Sequence, residues 1–541
     1  MAPFSRFPIL LVLLLLLLTA AAAATAAAAI SDECPANPCS DSCNSSLCAS
    51  IVSMLQASAV AIEEYGLHAV EQSIEVARKT AAFLGGAGDG PAMGICREMA
   101  AVGADELELA RNMLEAGTGA DGGVSPVVTA AGAATLRMLL TSAAVSATTC
   151  LEGLEEKGVA GGEVFRRVEE ARELFGIALD LVHVSLERVA AERIAVDTFD
   201  EWTFHPTASM TIQSSLESLQ VTQTVTVAKD GGGNFTTVKD AVAFASQNPP
   251  PPSGYFKILV SPGVYEENVV IPKYLNGLIL QGAGIERTVI TSGRSSADGY
   301  ETFDTATLAV NGCRFIASGI TIKNTAGREK MQAVAVRNSA DLSVFHQCLF
   351  VGFQDTLYAH SKRQLYVGCS IFGTVDFIFG SAAAVFQNCS IMPRLPLPGQ
   401  KNTITAQGKR CPREQSGFSV HLSRVFPARD LADGSATARV STYLGRPWKS
   451  CSTTVFMQSN LGGFIDPAGW IEWDGRNPPP PTIYYGEYDN VGPGASTAER
   501  VGWEVHKKMT EEEAERFTVA ALIDEGSWPG NTGVPFESGL I

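Results

Sequence analysis

The stretch "CLFVGFQDTLYAHSKRQLYVGCSIFGTVDFIFG", residues 348–380, contains nearly the same segment twice. Its cysteine, its glycine and its aspartate all recur 21 positions later, so that Cys348 returns as Cys369 and Asp355 as Asp376. The apolar positions around them recur with the same spacing. Self-similarity at a short fixed period is typical of a solenoid. The stretch therefore predicts a parallel β-helix, whose successive coils stack strand upon strand.

The rest of the C-terminal half agrees with this architecture. From residue 222 onward, short segments rich in Val, Ile, Phe and Thr are separated by Gly, Asn and Asp, which is the pattern of short strands. Long amphipathic segments do not occur between them. Turn signals recur about every twenty residues, close to the period of the quoted repeat.

Stacking brings the two repeated aspartates together. Equivalent residues of neighbouring coils lie about 4.8 Å apart, so Asp355 is expected directly beside Asp376. Two like charges at that distance push one carboxyl toward its protonated form while the other stays ionised. Such a pair can act as nucleophile and proton shuttle, or as acid and base around a glycosidic bond. A ladder of acids that caps turns or binds a cation is the alternative.

The same stacking predicts a disulfide between Cys348 and Cys369. The separation of neighbouring coils falls within the Cα range of disulfides, about 4.4–6.8 Å. Cys389 lies one coil beyond Cys369 and competes with Cys348 for a disulfide to Cys369.

Residues near the acids fit chemistry on an acidic polysaccharide. The amides of Gln332 and Gln354 are suited to stabilise a developing oxyanion. The segment "YLGRPW" adds Arg446, which pairs with carboxylates, and Trp448, which offers a stacking face for a sugar.

The N-terminal half has a different composition. Residues 1–29 have the basic start, apolar block and small residues of a secretory signal peptide, which predicts a secreted protein. Residues 30–196 contain four Ala-rich amphipathic segments that predict a four-helix bundle. Residues 197–221 form a polar linker to the solenoid, residues 222–541. The triplets at Asn44, Asn234 and Asn388 are candidate glycosylation sites.

Charge and motifs exclude several classes of function. Almost all of the formal net charge of −17 falls within the first 221 residues, and neither half is basic, which argues against a nucleic-acid partner. The sequence contains no G-x-S-x-G elbow, no H-E-x-x-H zinc motif and no phosphate-binding loop. We therefore expect an enzyme without metal or cofactor.

Five segments resemble, in order, the signature blocks of plant pectin methylesterases: "GVYEE" at 263–267, "QAVA" at 332–335, "GFQDTLY" at 352–358, "GTVDFIFG" at 373–380 and "YLGRPW" at 443–448. The helical half is similar to the inhibitor-like domain that precedes the enzyme in longer members. There the likeness rests on "TTCLEGL" around Cys150 and on the spacing of Cys34 and Cys43. Disulfides Cys34–Cys43 and Cys96–Cys150 are expected to stabilise this half.

The resemblance implies a right-handed parallel β-helix that demethylates homogalacturonan in the cell wall. It makes Asp376 the nucleophile and Asp355 the acid and then the base. Gln332 and Gln354 become oxyanion donors, while Arg446, Trp448 and Thr302 become substrate-binding residues. Gln332 is also expected to contact substrate.

The resemblance also names partners for this chain. They are the methylesterified polymer, the chain's own helical half and separate inhibitor proteins. Members with the helical half often carry a basic processing motif in the linker, whereas residues 197–221 contain no Lys or Arg. Release of the helical half is therefore expected to be inefficient.

Two other functions compete with ester hydrolysis. A glycoside hydrolase of the polygalacturonase type also uses paired aspartates on a solenoid. A non-catalytic inhibitory or wall-binding protein would have lost its catalytic positions, but all of them are present in this sequence.

Overall fold

A computed structural model describes the helical half, the solenoid and their contacts. The described residues are 39, 44–57, 64–88, 90–116, 130–196, 211–212, 216–432, 440–473, 479–523 and 528–541. The predicted signal peptide, Cys34, Cys43 and most of the linker lie outside the described residues.

Helices make up the described N-terminal half, as the sequence predicts. They are α1 (Ser45–Ala57), α2 (Tyr65–Gly86), α3 (Pro91–Ala116), α4 (Ala130–Glu156) and α5 (Glu163–Val196). Helices α2 and α4 each pack against both α3 and α5. By length and composition, most of α4 could span a membrane. However, 83% of its most apolar 18-residue stretch is buried inside the protein, and this burial explains why the helix is apolar.

Two disulfides are described in this half. Cys96 on α3 is bonded to Cys150 on α4, which is the pairing expected from the sequence. A second bond joins Cys39 to Cys48, two cysteines whose pairing the sequence left open. The side-chain amide of Asn44 caps the start of α1 and donates to Glu173, whereas Asn234 and Asn388 are exposed.

The C-terminal half is a parallel β-helix with three sheets, in which each full coil contributes one strand to each sheet. Strands are numbered in chain order. Sheet A contains β2 (Val221–Val227), β3 (Tyr255–Val260), β6 (Leu278–Gly282), β9 (Ile316–Ser318), β12 (Ser343–His346), β15 (Arg363–Val367), β18 (Ala383–Gln387), β21 (Gly417–His421), β24 (Thr453–Met457), β26 (Tyr484–Tyr488) and β27 (His506–Lys508). Sheet B contains β4 (Gly263–Glu266), β7 (Thr288–Ser292), β10 (Thr321–Asn324), β13 (Leu349–Val351), β16 (Ser370–Gly373), β19 (Ser390–Pro393), β22 (Arg424–Val425) and β25 (Asn460–Leu461). Sheet C contains β5 (Val269–Ile271), β8 (Leu308–Val310), β11 (Val336–Asn338), β14 (Leu357–Ala359), β17 (Ile378–Gly380), β20 (Asn402–Gln407) and β23 (Thr442–Gly445).

Short helices and one short strand pair accompany the β-helix. Helix α6 (Val238–Gln247) packs against β2, β3 and β5 at the first coil. The remaining described helices are α7 (Arg429–Ala432), α8 (Glu511–Glu515) and α9 (Val519–Leu522). Strand β1 (Thr211–Ile212), at the end of the linker, pairs antiparallel with β28 (Phe536–Glu537) near the C-terminus. The linker is thereby anchored to the outside of the solenoid.

The predicted register of the 21-residue repeat is confirmed, but the predicted Cys348–Cys369 disulfide is wrong. Phe345 pairs with Tyr366 and Leu349 with Ser370, so the two cysteines occupy adjacent rungs, and Cys389 follows on the next. All three are buried free thiols. Side chains stacked in register are separated by the sheet spacing of about 4.8 Å, whereas a disulfide draws its two Cβ atoms to about 3.8 Å. The thiols instead lie near backbone carbonyls, such as that of Phe345 for Cys369 at 3.2 Å.

Candidate active site

The two repeated aspartates lie at the same corner of consecutive coils. Asp355 lies between β13 and β14, and Asp376 lies between β16 and β17. Asp355 lies two residues before Leu357, and Asp376 lies two residues before Ile378. Leu357 and Ile378 are paired between β14 and β17. The backbone N–H of Asp355 donates to the carbonyl of Val375 at 3.1 Å, which ties the two corners together. The stacking predicted from the repeat is therefore present.

The corner places both acids in a conformation that is rare for residues other than glycine. Their φ angles are 63° at Asp355 and 50° at Asp376, in the left-handed region. The glycine of each repeat makes this corner possible, since a Cβ at Gly373 would lie 2.1 Å from the Cβ of Phe377. Unusual backbone at two side chains that share one cavity is typical of a functional site.

The side chain of Asp376 accepts three hydrogen bonds. Arg446 donates from Nε to Oδ1 at 2.8 Å and from Nη2 to Oδ2 at 2.6 Å, a bidentate arrangement. The hydroxyl of Thr403 donates to Oδ1 at 2.6 Å, and it accepts from the backbone N–H of Asp376 at 2.9 Å. Both oxygens are thus fixed in direction, as a nucleophile requires.

Asp355 has the opposite electrostatic environment. Its side chain is buried, and burial raises its pKa well above the ordinary value of an aspartate. The negative charges of Asp376 and, less strongly, Glu156 raise this pKa further, and Arg446 only partly offsets them. The two acids therefore differ: Arg446 and Thr403 bind the carboxyl of Asp376 directly, whereas burial and like charge favour the neutral form of Asp355.

Amides and aromatic rings complete the solenoid's side of the site. Gln332 and Gln354 both line the cavity that contains the two acids. The amide oxygen of Gln332 accepts from Ser296 Oγ at 2.6 Å, which turns its N–H groups away from that contact. Trp448 lies beside Trp473 with ring centroids 6.4 Å apart, and the Arg446 guanidinium lies 4.3 Å from the centroid of Trp473.

The helical half forms the other wall of this cavity, which has a volume of about 280 Å³. The helical residues that line it are Ile95 on α3 and Thr149, Glu152, Gly153 and Glu156 on α4. Burial is continuous across the contact, because the apolar core of the helices includes Phe303, Tyr358 and Phe379 of the solenoid. The groove over the two acids is covered in the folded chain.

Acids of the helical half pair with lysines of the solenoid across the contact between the two halves. Lys449 Nζ lies 2.5 Å from Glu152 Oε1, and Lys273 forms an ion pair with Asp105. Lys362 Nζ also lies 2.5 Å from Glu106 Oε1, and both side chains are nearly buried. Although burial disfavours a charged ammonium, the Glu106 carboxylate raises the pKa of Lys362 above its ordinary value.

Closer to the acids, two residues at the end of the helical hairpin contact the solenoid. Thr302 donates to Glu156 from its backbone N–H at 3.3 Å and from its hydroxyl at 3.1 Å. Lys157 follows Glu156 in the chain. Its Nζ lies 3.1 Å from Glu301 Oε1 and donates to the carbonyl of Gly299 at 3.2 Å. The predicted substrate-binding residue Thr302 is thus engaged by the helical half.

Sequence reasoning missed several residues of the site. Thr403 occupies the slot of Asp376 one coil later, since Ile378 pairs with Thr405. Trp473 likewise occupies the position of Trp448 one coil later, because Gly445 and Trp470 are paired in a parallel β-bridge. Extending the repeat argument by one rung would have found both. Glu152 and Glu156 lie four residues apart on α4, a spacing that places them on one helix face.

Comparison with known proteins agrees with these observations. The pectinesterase family model matches residues 224–527. "Probable pectinesterase/pectinesterase inhibitor 7" of Arabidopsis thaliana is 49% identical over 321 residues, 59% of this chain and 55% of that protein. "Probable pectinesterase/pectinesterase inhibitor 25" of the same plant is 37% identical over 542 residues, 94% of this chain and 87% of that protein.

A solved structure shares the fold of the C-terminal half. "Pectin methylesterase from Carrot" is 42% identical, with a TM-score of 0.56, and the match covers 63% of this chain and 100% of the carrot chain. The match with the first of the Arabidopsis relatives spans little more than half of that protein's length, whereas the match with the second includes the helical region.

Proposed function

This chain belongs to the pectinesterase family, and from that premise we propose that it hydrolyses methyl esters of homogalacturonan, releasing methanol and free carboxylates. The observation that carries the proposal is the pair of stacked aspartates in opposite environments. Asp376 is held by Arg446 and Thr403, and Asp355 is buried without a cation of its own. This asymmetry is what a nucleophile and a proton donor require.

The proposed reaction begins when a carboxylate oxygen of Asp376 attacks the ester carbonyl carbon. The carbonyl electron pair moves onto oxygen, where the amide N–H groups of Gln332 and Gln354 stabilise the negative charge. As the carbonyl reforms, the C–O bond to methoxide breaks and Asp355 donates its proton, so that methanol leaves. The product of this step is an anhydride between Asp376 and the uronate.

Water completes the cycle in the second half of the reaction. Asp355, now a carboxylate, takes a proton from water while the water oxygen attacks the uronate carbonyl. Collapse of the tetrahedral intermediate breaks the anhydride and returns Asp376 as a carboxylate. Throughout, Thr403 acts as a positioning residue, because it touches Asp376 and not the ester. Trp448 and Trp473 offer stacking faces to the sugar rings.

A direct assay tests this proposal against the glycoside-hydrolase alternative. Incubation with highly methylesterified pectin should release methanol without forming new reducing ends. An ester hydrolase leaves every glycosidic bond intact, whereas a glycoside hydrolase creates one reducing end per cleavage. Reducing ends without methanol would refute ester hydrolysis and support the alternative.

We also propose that the helical half, in which α2–α5 form a four-helix bundle, keeps the activity of the chain low by covering the groove in most molecules. A polymer cannot thread into a cavity closed by α3 and α4. Three lysine–acid pairs and a shared apolar core hold the cover in place. Part of the negative charge of the helical half is thus paired with lysines of the solenoid.

The partners and location follow from the same proposal. The substrate is methylesterified homogalacturonan of the plant cell wall, which the chain reaches by secretion. The tethered helical half is a partner in cis, and its covalent connection gives it a high effective concentration at the groove. Separate inhibitor proteins are proposed as further partners of the uncovered groove.

A further inference from the structure

We propose that a second cavity, between the helical half and the solenoid, binds a short stretch of demethylated uronate polymer through its carboxylates. This cavity is separate from the groove over the two aspartates, since the two share no lining residue. The identity of the sugar rests on the proposed function, whose product carries free carboxylates, whereas the site itself follows from the geometry and charge of its walls.

Both halves of the chain build the walls of the second cavity, which has a volume of about 650 Å³. Helix α4 contributes Arg137, and helix α5 contributes His183. The segment after β20 contributes Lys409 and Arg413, and Arg516 lies directly after α8. The volume falls within the range of about 300–1,000 Å³ that is usual for ligand pockets. The cavity is complete only where the two halves are docked.

Positive charge dominates these walls. They hold four Lys or Arg side chains, and among the described residues that line the cavity Glu414 is the one acid. Glu414 is buried, and burial raises its pKa, so it offsets the surrounding cations less than an exposed carboxylate would. Walls of one sign concentrate ligands of the opposite sign, and a chain of carboxylates presents several negative charges at once.

Lys409 is the residue that points most directly to an anion. Its side chain is partly buried, yet its ammonium makes no hydrogen bond or ion pair with any residue that the structure describes. Burial lowers the pKa of Lys409, and the charge of Glu414 offsets this effect only in part. By contrast, Lys362 and Lys449, at the contact between the same two halves, each pair with a carboxylate. A cation withdrawn from water without a partner is unfavourable, and a carboxylate in the cavity would supply that partner.

The second cavity also has features that suit a sugar. Tyr484 and Phe517 line it and stack with ring centroids 5.2 Å apart, which presents an aromatic surface to a sugar ring. A small inorganic anion would leave most of the cavity empty. A short uronate oligomer therefore fits the site better than phosphate does.

The first part of the test measures binding to the unaltered full chain by titration calorimetry. The probes are trigalacturonate, the uncharged trimer α-1,4-galactotriose and inorganic phosphate. We expect trigalacturonate to bind about tenfold or more tightly than either of the others, because only this probe combines sugar rings with carboxylates. Equal binding of galactotriose, or of phosphate, would overturn the assignment of the ligand.

The second part locates the bound trimer. Lys409→Met should weaken binding about tenfold or more, since it removes the unpaired cation. Lys239→Met is the matched control, because it makes the same change at an exposed position outside both cavities, and it should leave binding unchanged. Arg516→Gln, at an exposed position that lines the cavity, should also weaken binding, and it provides the answer if Lys409→Met fails to fold.

Trp448→Ala separates the second cavity from the groove. Binding should be unchanged in this variant, since Trp448 lines only the groove. Binding that is lost in Trp448→Ala and kept in Lys409→Met and Arg516→Gln would place the trimer in the groove and overturn the second site. If the chain releases methanol but does not bind trigalacturonate, the proposed function stands and the second site falls. Binding that depends on Lys409, without methanol release, would have the opposite meaning.

Discussion

Replacing Asp376 by asparagine should reduce methanol release by about 10⁴-fold or more, as removal of a catalytic nucleophile does in other hydrolases. An amide oxygen does not attack an ester at a useful rate, and it breaks the ion pair with Arg446. The fold should survive, because asparagine tolerates the left-handed backbone found at this corner. The measurement is the initial rate of methanol release, with circular dichroism to follow folding.

Asp489→Asn provides the matched control for this variant. Asp489 also has a left-handed backbone, with φ of 46°, but it is exposed and outside the cavity. The same chemical change at the same kind of corner should leave the rate near that of the unaltered chain. Near-normal methanol release by Asp376→Asn would show that the attacking group is not this carboxylate.

Replacing Asp355 by asparagine should reduce methanol release by about 10²–10⁴-fold, the usual contribution of a general acid–base group. In the unaltered enzyme, the rate should fall on the alkaline side as Asp355 loses its proton, since its pKa is raised by burial and by Asp376. The residual activity of the asparagine variant should lack that alkaline limb. A pH–rate profile from acid to alkaline pH measures both effects.

The same variant should be more stable than the unaltered chain at neutral pH. A carboxyl whose pKa is raised by folding binds its proton more tightly in the folded state. Its contribution to stability is therefore present below its unfolded pKa of about 3.9 and is lost as pH rises through the folded pKa. The asparagine side chain cannot ionise, so the advantage of Asp355→Asn in urea unfolding should grow with pH. An advantage that is independent of pH would argue against the raised pKa.

The repeat at residues 348–380 was sufficient to predict the solenoid and the side-by-side aspartates, because register in a stacked coil follows directly from sequence spacing. It did not predict the cysteines correctly, since the same register that brings acids together holds stacked Cβ atoms too far apart for a disulfide. Cys348 and Cys369 show that adjacency in a stack favours contact and not covalent bonding.

The wall of the site contributed by the helices was not predictable by the same reasoning. Periodicity shows which face of α4 is apolar, but it does not show which surface of another domain that face meets. Glu152 and Glu156 resemble ordinary solvent-facing acids in the sequence, and they acquire a role only where Lys449 and Thr302 approach them. Interactions between domains depend on docking geometry, which no local pattern specifies.

We propose that one pair of aspartates hydrolyses esters in a groove that the helical half covers. The most direct test is to insert a protease site between residues 200 and 210, cleave the folded chain, and measure methanol release as the sample is diluted. A mild thiol reductant should be present so that no disulfide tethers the fragments, and the uncleaved chain treated identically is the control. We predict that the rate per molecule of cleaved protein rises with dilution, as the fragments separate, while the control stays low. Equal rates for cleaved and uncleaved protein at every dilution would show that the helical half does not cover the active site.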